Sequence, residues 1–148
     1  MIRRAVGAIV TYGKQFLIIH KVKINTSGGK EDIKGEWDFV KGGVKENEDL
    51  KKAMLRELEE ETGSKSYKCI KQFTEKISFD FPPNLRTKIG CDRQETTMFH
   101  FEYVGDPNGL KPQDNEIDEM MFVEKEAILK KLTHFDTIKF FQNNFSTF

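Results

Sequence analysis

At 148 residues the chain is long enough for one domain with a substantial hydrophobic core. Twenty-four Lys and Arg balance 24 Asp and Glu, a formal net charge of zero with 32% of residues charged. That balance excludes a general electrostatic binder of nucleic acid, which would carry a clear basic excess, but is compatible with a nucleotide or short RNA end held in one local pocket.

The opening "MIRRAVGAIV" has two arginines before an apolar run, as a signal peptide would. The run is broken by "TYGKQ" and no cleavage-type segment follows. A hairpin fits better: a strand over 5–11, a turn at Gly13-Lys14, and a second strand over 15–20. No stretch qualifies as a transmembrane segment. Cys69 and Cys91 have neither metal-type spacing nor a secretory context and read as reduced thiols, so a cytoplasmic protein is expected. His20, His100 and His134 are scattered outside any ligand motif.

Next comes "KINTSGGKEDIKG", a polar, glycine-bearing segment that reads as a long loop. "EWDFVKGG" then reads as a strand running into a turn. A helix follows, with Asp49 as its N-cap and Gly63 as its C′ residue. Leu50, Met54 and Leu58, with Ala53 beside them, form its apolar stripe, and Glu57 and Glu61 continue the same side. The inward face thus turns acidic at its C-terminal end. Glu57, Glu60 and Glu61 stand at relative positions 0, +3 and +4, so like charges are crowded together. A string such as "ELEEE" is usually a solvated face. Carboxylates near a buried face are costly unless paired or metal-bound, which makes this a candidate site for a hard divalent ion.

Beyond the helix, 67–78 reads as a strand, Pro82-Pro83 as a break, 96–104 and 120–123 as strands, and 124–132 and 135–143 as helices. Without repeat, low-complexity tract or linker, residues 1–148 are expected to form one domain. Strands mixed with few helices suit an α/β architecture. Phe140 and Phe141 are expected in the core, and Phe145 and Phe148 are open between core, interface and a base-stacking wall.

The run from Gly42 to Ser64 resembles the Nudix hydrolase signature, G-x5-E-x7-R-E-U-x-E-E-x-G-U, with U a bulky aliphatic residue. Gly42, Glu48, Arg56, Glu57, Leu58, Glu60, Glu61 and Gly63 match in register, and Ser64 departs at a packing position. The resemblance implies an α/β/α sandwich with a mixed sheet between helices. It also implies hydrolysis of a diphosphate linkage in a nucleoside diphosphate derivative with Mg²⁺ or Mn²⁺. Glu57, Glu60 and Glu61 become the implied metal ligands, with a backbone carbonyl near Gly42, and Arg56 is implied to fix a carboxylate rotamer. Glu48 either adds a ligand or closes the turn. A glutamate on a later loop, Glu116 in "NEIDEMMFV", is the implied further ligand or base; Asp118 and Glu119 read equally well as surface charge.

Lys41 precedes the glycines and either meets a phosphate or is solvated. "FDFPPNLRTK" sets Phe79 and Phe81 near Arg86 and Lys88, with Arg93 following. Rings that stack on a base beside cations that meet phosphates would suit a nucleotide polyphosphate, against a reading as core rings with solvated cations. "WDFVKGG", "FDFPP", "RQETTMF" and "EIDEMMFV" resemble the dinucleoside tetraphosphate hydrolases and RNA 5′-pyrophosphohydrolases, with Val40 where those carry proline. Asymmetric cleavage of diadenosine tetraphosphate to ATP and AMP is the leading expectation. The alternatives are pyrophosphate release from an RNA 5′ end or from ordinary or oxidised nucleoside triphosphates, and a non-catalytic nucleotide-binding module. The expected partners are a nucleotide polyphosphate or an RNA 5′ end, with no membrane and no obligate protein partner.

Overall fold

In a computed structural model that describes residues 1–113 and 115–148, the first strand β1 (Ile2–Tyr12) turns through Gly13 into β2 (Gln15–Thr26). Gly13 sits at φ 59°, a left-handed conformation in which a side chain would be strained. The hairpin expected there is real only at its turn, where Thr11 pairs Phe16 and Tyr12 pairs Gln15. Beyond it the two strands part. β1 takes β6 (Arg93–Tyr103) in parallel along one edge, and β2 takes β7 (Ile117–Val123) along its outer edge.

The gap between the parted strands holds the chain that follows. β3 (Gly29–Asp38) runs antiparallel to β2, the chain bends at Phe39, and β4 (Val40–Gly43) runs antiparallel to β1. β3 and β4 therefore diverge from Phe39 as the arms of a V. The segment 23–35, read from sequence as a loop, is instead a ribbon, with Lys23 opposite Asp32 and Thr26 opposite Gly29. Its polarity misled the reading because this ribbon lies outside the apolar layers. β5 (Tyr67–Asp80) completes a seven-stranded mixed sheet by pairing β6.

Helix α1 (Leu50–Thr62) covers one face, where Ala53, Met54 and Leu58 pack on Val6, Ala8, Val10 and Val40. Helices α3 (Lys125–Lys131) and α4 (Phe135–Phe145) cover the other, where Ile128, Phe140, Phe141 and Phe145 pack on Ile9, Phe16, Ile18 and Phe39. The result is the α/β/α sandwich with a mixed sheet. A further helix, α2 (Pro83–Ile89), occupies the expected proline break: Pro83 is its first residue, where a missing N–H costs nothing. Phe140, Phe141 and Phe145 are buried, and Phe148 lies against Phe16 with centroids 5.2 Å apart. No helix among the described residues is long and apolar enough to cross a membrane.

Candidate active site

The geometry of α1 sets the site. Asp49 accepts a hydrogen bond from the Lys52 N–H (3.1 Å) at one end. At the other, Gly63 adopts φ 77° and donates its N–H to the Glu59 carbonyl (2.9 Å). With both ends fixed, the helical period carries Glu57 and Glu61 onto the buried side and leaves Glu60 exposed. Ser64, the departure from the signature, accepts the Ser66 N–H (3.1 Å) and so belongs to the turn that leaves the helix.

β4 passes directly over this acidic end. A Cβ built on Gly42 would coincide with the Glu57 carboxyl, so only glycine lets strand and carboxylate approach this closely. Arg56 locks the arrangement. Its Nε and Nη2 donate to the two Glu48 oxygens (2.8 and 2.9 Å), Nη2 also to the Gly43 carbonyl (2.9 Å), and Nη1 to Glu57 (2.9 Å) and Glu60 (3.3 Å). Glu48 also accepts the Lys45 N–H at 3.0 Å and so closes the turn. The Arg56 guanidinium, and then that N–H, hold the Glu48 carboxyl down at about 2. Glu57 goes the other way: burial raises its pKa, Arg56 opposes the rise, and Glu60 and Glu116 add to it.

Glu116 ends the loop before β7 and reaches the same region, with its side chain 13% exposed and the Lys30 ammonium 3.7 Å away. Its carbonyl accepts the Val22 N–H (2.7 Å), which ties the loop to β2. Ile19, Lys21, Asp38, Val40, Glu61 and Glu116 line a cleft at the apex of the V. Of the residues singled out in the sequence, Glu61 and Glu116 line this cleft, and Glu57, pressed against Gly42 and bonded to Arg56, lies within electrostatic reach of Glu116 and Glu60. Among the described residues no three acidic, histidine or cysteine side chains enclose an ion-sized space. The carboxylates of Glu48, Glu57 and Glu60 are turned toward Arg56 instead. The donor chemistry nevertheless fits a hard divalent ion: carboxylate oxygens crowded at one helix end, one of them desolvated against a strand glycine.

The expected substrate-binding residues are engaged by groups of the protein. Lys41 lines the cleft, and its ammonium donates to Thr137 (2.8 Å) and pairs with Asp38 (3.2 Å). Phe81 is buried, packed edge-on against Phe79 with centroids 5.1 Å apart, and is not an open stacking face. Arg86 donates to the Phe81 carbonyl (2.8 Å), Lys88 lies 3.6 Å from Glu31, and Arg93 lies 3.4 Å from Asp80. These cations belong to α2 and the start of β6, each engaged by a protein oxygen. Two side chains near the V were missed. Arg3 stands beside Gly43 and donates to Gln94 (2.5 Å), and Lys30 crosses to the Glu116 loop. Only strand pairing brings them there, so no local motif marks them.

The family model described as NUDIX domain matches residues 1–143. An RNA pyrophosphohydrolase of a Nitratiruptor species is 38% identical over 108 residues, covering 72% of this chain and 70% of that protein. One of a Sulfurovum species is 28% identical over 141 residues, covering 90% of this chain and 84% of that one. Among solved structures, the MutT protein from Methanosarcina mazei Go1 superposes with a TM-score of 0.71 at 23% identity, covering 98% of this chain and 93% of that chain, a likeness of fold. Signature, sandwich and domain match agree over nearly the whole length: the chain belongs to the Nudix hydrolases, a family that generally works with divalent metal ions.

Proposed function

We propose that the chain hydrolyses a diphosphate linkage at the 5′ end of a triphosphorylated RNA, releasing pyrophosphate and leaving a 5′-monophosphate. The observation that carries hydrolysis is the buried Glu57 carboxyl, pressed against Gly42 among Glu60, Glu61 and Glu116. Such crowding stores unfavourable charge that a cation relieves. The RNA end is favoured because the relatives that cover most of this chain carry that activity in their names. Diadenosine tetraphosphate ranks second. The ring and cations expected to grip it are packed or paired with other protein groups.

Glu57, Glu60 and Glu61 would hold Mg²⁺ or Mn²⁺ with the Gly42 carbonyl. The bound ion supplies neutralisation of phosphate charge and a lowered pKa for the attacking water. Arg56 fixes the orientation of Glu57 and Glu60 through its Nη1 bonds. Glu116 accepts the proton as water attacks phosphorus. The bridging P–O bond then breaks and the leaving pyrophosphate takes the bridging oxygen.

The test is product analysis with Mg²⁺ on 5′-triphosphorylated RNA, diadenosine tetraphosphate and nucleoside triphosphates. Pyrophosphate and monophosphorylated RNA should form first. Glu60→Gln should lower that turnover by about a hundredfold or more. Its Tm should stay near the wild-type value, because the Glu60 side chain is 51% exposed. ATP and AMP formed ahead of any RNA product would move the assignment to the second reading. Full turnover by the variant would sink the site.

A further inference from the structure

The ribbon formed by the ends of β2 and β3 adds little to the core. From Lys23 to Asp32 none of its residues is buried, and its apolar members are few. A two-stranded ribbon without a hydrophobic face is marginal by itself. This one is pinned at its tip, where the Ser27 N–H donates to the Lys88 carbonyl of α2 (2.6 Å) and Lys88 lies 3.6 Å from Glu31. β3 runs from this ribbon back to the bend at Phe39, from which β4 carries Gly42 over Glu57.

Its cations differ in how firmly they are held. Lys23 is taken up by Asp32 at 2.6 Å. Lys30 reaches instead across β2 to the loop before β7. There it donates to the neutral amide oxygen of Asn115 (3.0 Å), and it stands 3.7 Å from Glu116 with its side chain 37% exposed. At 3.7 Å the ammonium and the Glu116 carboxylate stand farther apart than a direct hydrogen bond, so distance rather than exposure keeps this contact weak. A polyphosphate with several negative charges competes with it easily. The cation is thus carried on a ribbon segment that buries none of its residues, beside Glu116, which lines the cleft.

We propose that Lys30 is a substrate-binding residue that leaves the Asn115–Glu116 loop for the polyphosphate of the RNA 5′ end. This rests on the reading of the site as a phosphohydrolase centre. With substrate bound, Lys30 pairs a phosphate beside the loop it leaves.

The test is steady-state hydrolysis of 5′-triphosphorylated RNA by the wild type, Lys30→Met, Lys30→Arg and Lys23→Met across a salt series. Lys30→Met should raise KM about tenfold and flatten the slope of log KM against log salt by about 0.7, the loss of one single-strand phosphate contact. Lys30→Arg should restore most of both, and Lys23→Met, on the same ribbon, should change neither. A merely structural Lys30 would leave the salt slope intact, and that result, or an unchanged KM, overturns the proposal. If the wild type cleaves diadenosine tetraphosphate and leaves RNA alone, the RNA reading falls. The same KM and salt-slope criteria then decide Lys30 on the tetraphosphate.

Discussion

Gly42 shows how little room one residue leaves for change. Glu57 is held from one side by Arg56 and meets β4 on the other, so a methyl group at position 42 has nowhere to go except into the carboxyl. Gly42→Ala must push β4 off α1 or break the Arg56–Glu57 bond. Forced insertion into a packed contact costs about 1–3 kcal/mol. In a chain of this size that lowers Tm by several degrees. Because the displaced group is the carboxylate itself, turnover should fall by about a hundredfold, more than the stability loss explains. Gly109→Ala, whose new methyl would meet only the Tyr103 hydroxyl at 3.9 Å, should change neither Tm nor rate. Equal behaviour of the two variants would remove Gly42 from the site.

At the scale of elements, α1 divides its labour along its length. Ala53, Met54 and Leu58 are buried from its first turn to its third, and Glu57, Glu60 and Glu61 gather in its C-terminal half. Asp49→Ala removes the cap at the packing end and should cost about 1 kcal/mol. Thermal unfolding should show a Tm lower by about 3 °C. Turnover at 25 °C should hold within twofold, because Arg56 and Glu48 fix the acidic end independently. Loss of activity in step with Tm would mean that the helix moves as a rigid rod. This helix was legible in the sequence because cap, stripe, signature and αL glycine are local signals that agree. The V was not. Lys30 and Glu116 are 86 positions apart by number and meet only because β2 pairs with β3 on one edge and β7 on the other. The partners of Lys41 were hidden for a related reason: Thr137 lies 96 positions away and meets it only across the packed layers. The cations after Phe81 looked available because sequence shows charge but not the Asp80, Glu31 or carbonyl partners that engage it.

Across the whole molecule, the layer that carries no chemistry holds the site from behind. The bend at Phe39, which sets where Gly42 lies, is clamped to the segment leading into α4. The Trp37 N–H donates to the Thr133 hydroxyl (2.9 Å), the Thr133 N–H to the Trp37 carbonyl (3.1 Å), and Lys41 to Thr137 (2.8 Å). One member of this clamp titrates: His134 and Glu36 lie 2.8 Å apart, and both are partly exposed. The bond to Glu36 raises His134 above its ordinary 6.5, so this contribution is complete below about 6.5 and is lost as pH climbs through the raised value. The same bond lowers Glu36 below its ordinary 4.5, so its contribution is complete above about 4.5 and is lost as pH falls through the lowered value. The ion pair therefore stabilises the clamp chiefly between those two values. Solvent screening limits it to less than about 1 kcal/mol. Melting curves of the wild type and Glu36→Gln, taken from pH 3 to 9 at low salt, should differ by up to about 3 °C between pH 4.5 and 6.5 and converge on either side. A difference that stays constant with pH would show a neutral hydrogen bond in place of an ion pair. The clamp would then be set by Thr133 and Thr137 alone, and the site's geometry would be indifferent to pH on this face of the sheet.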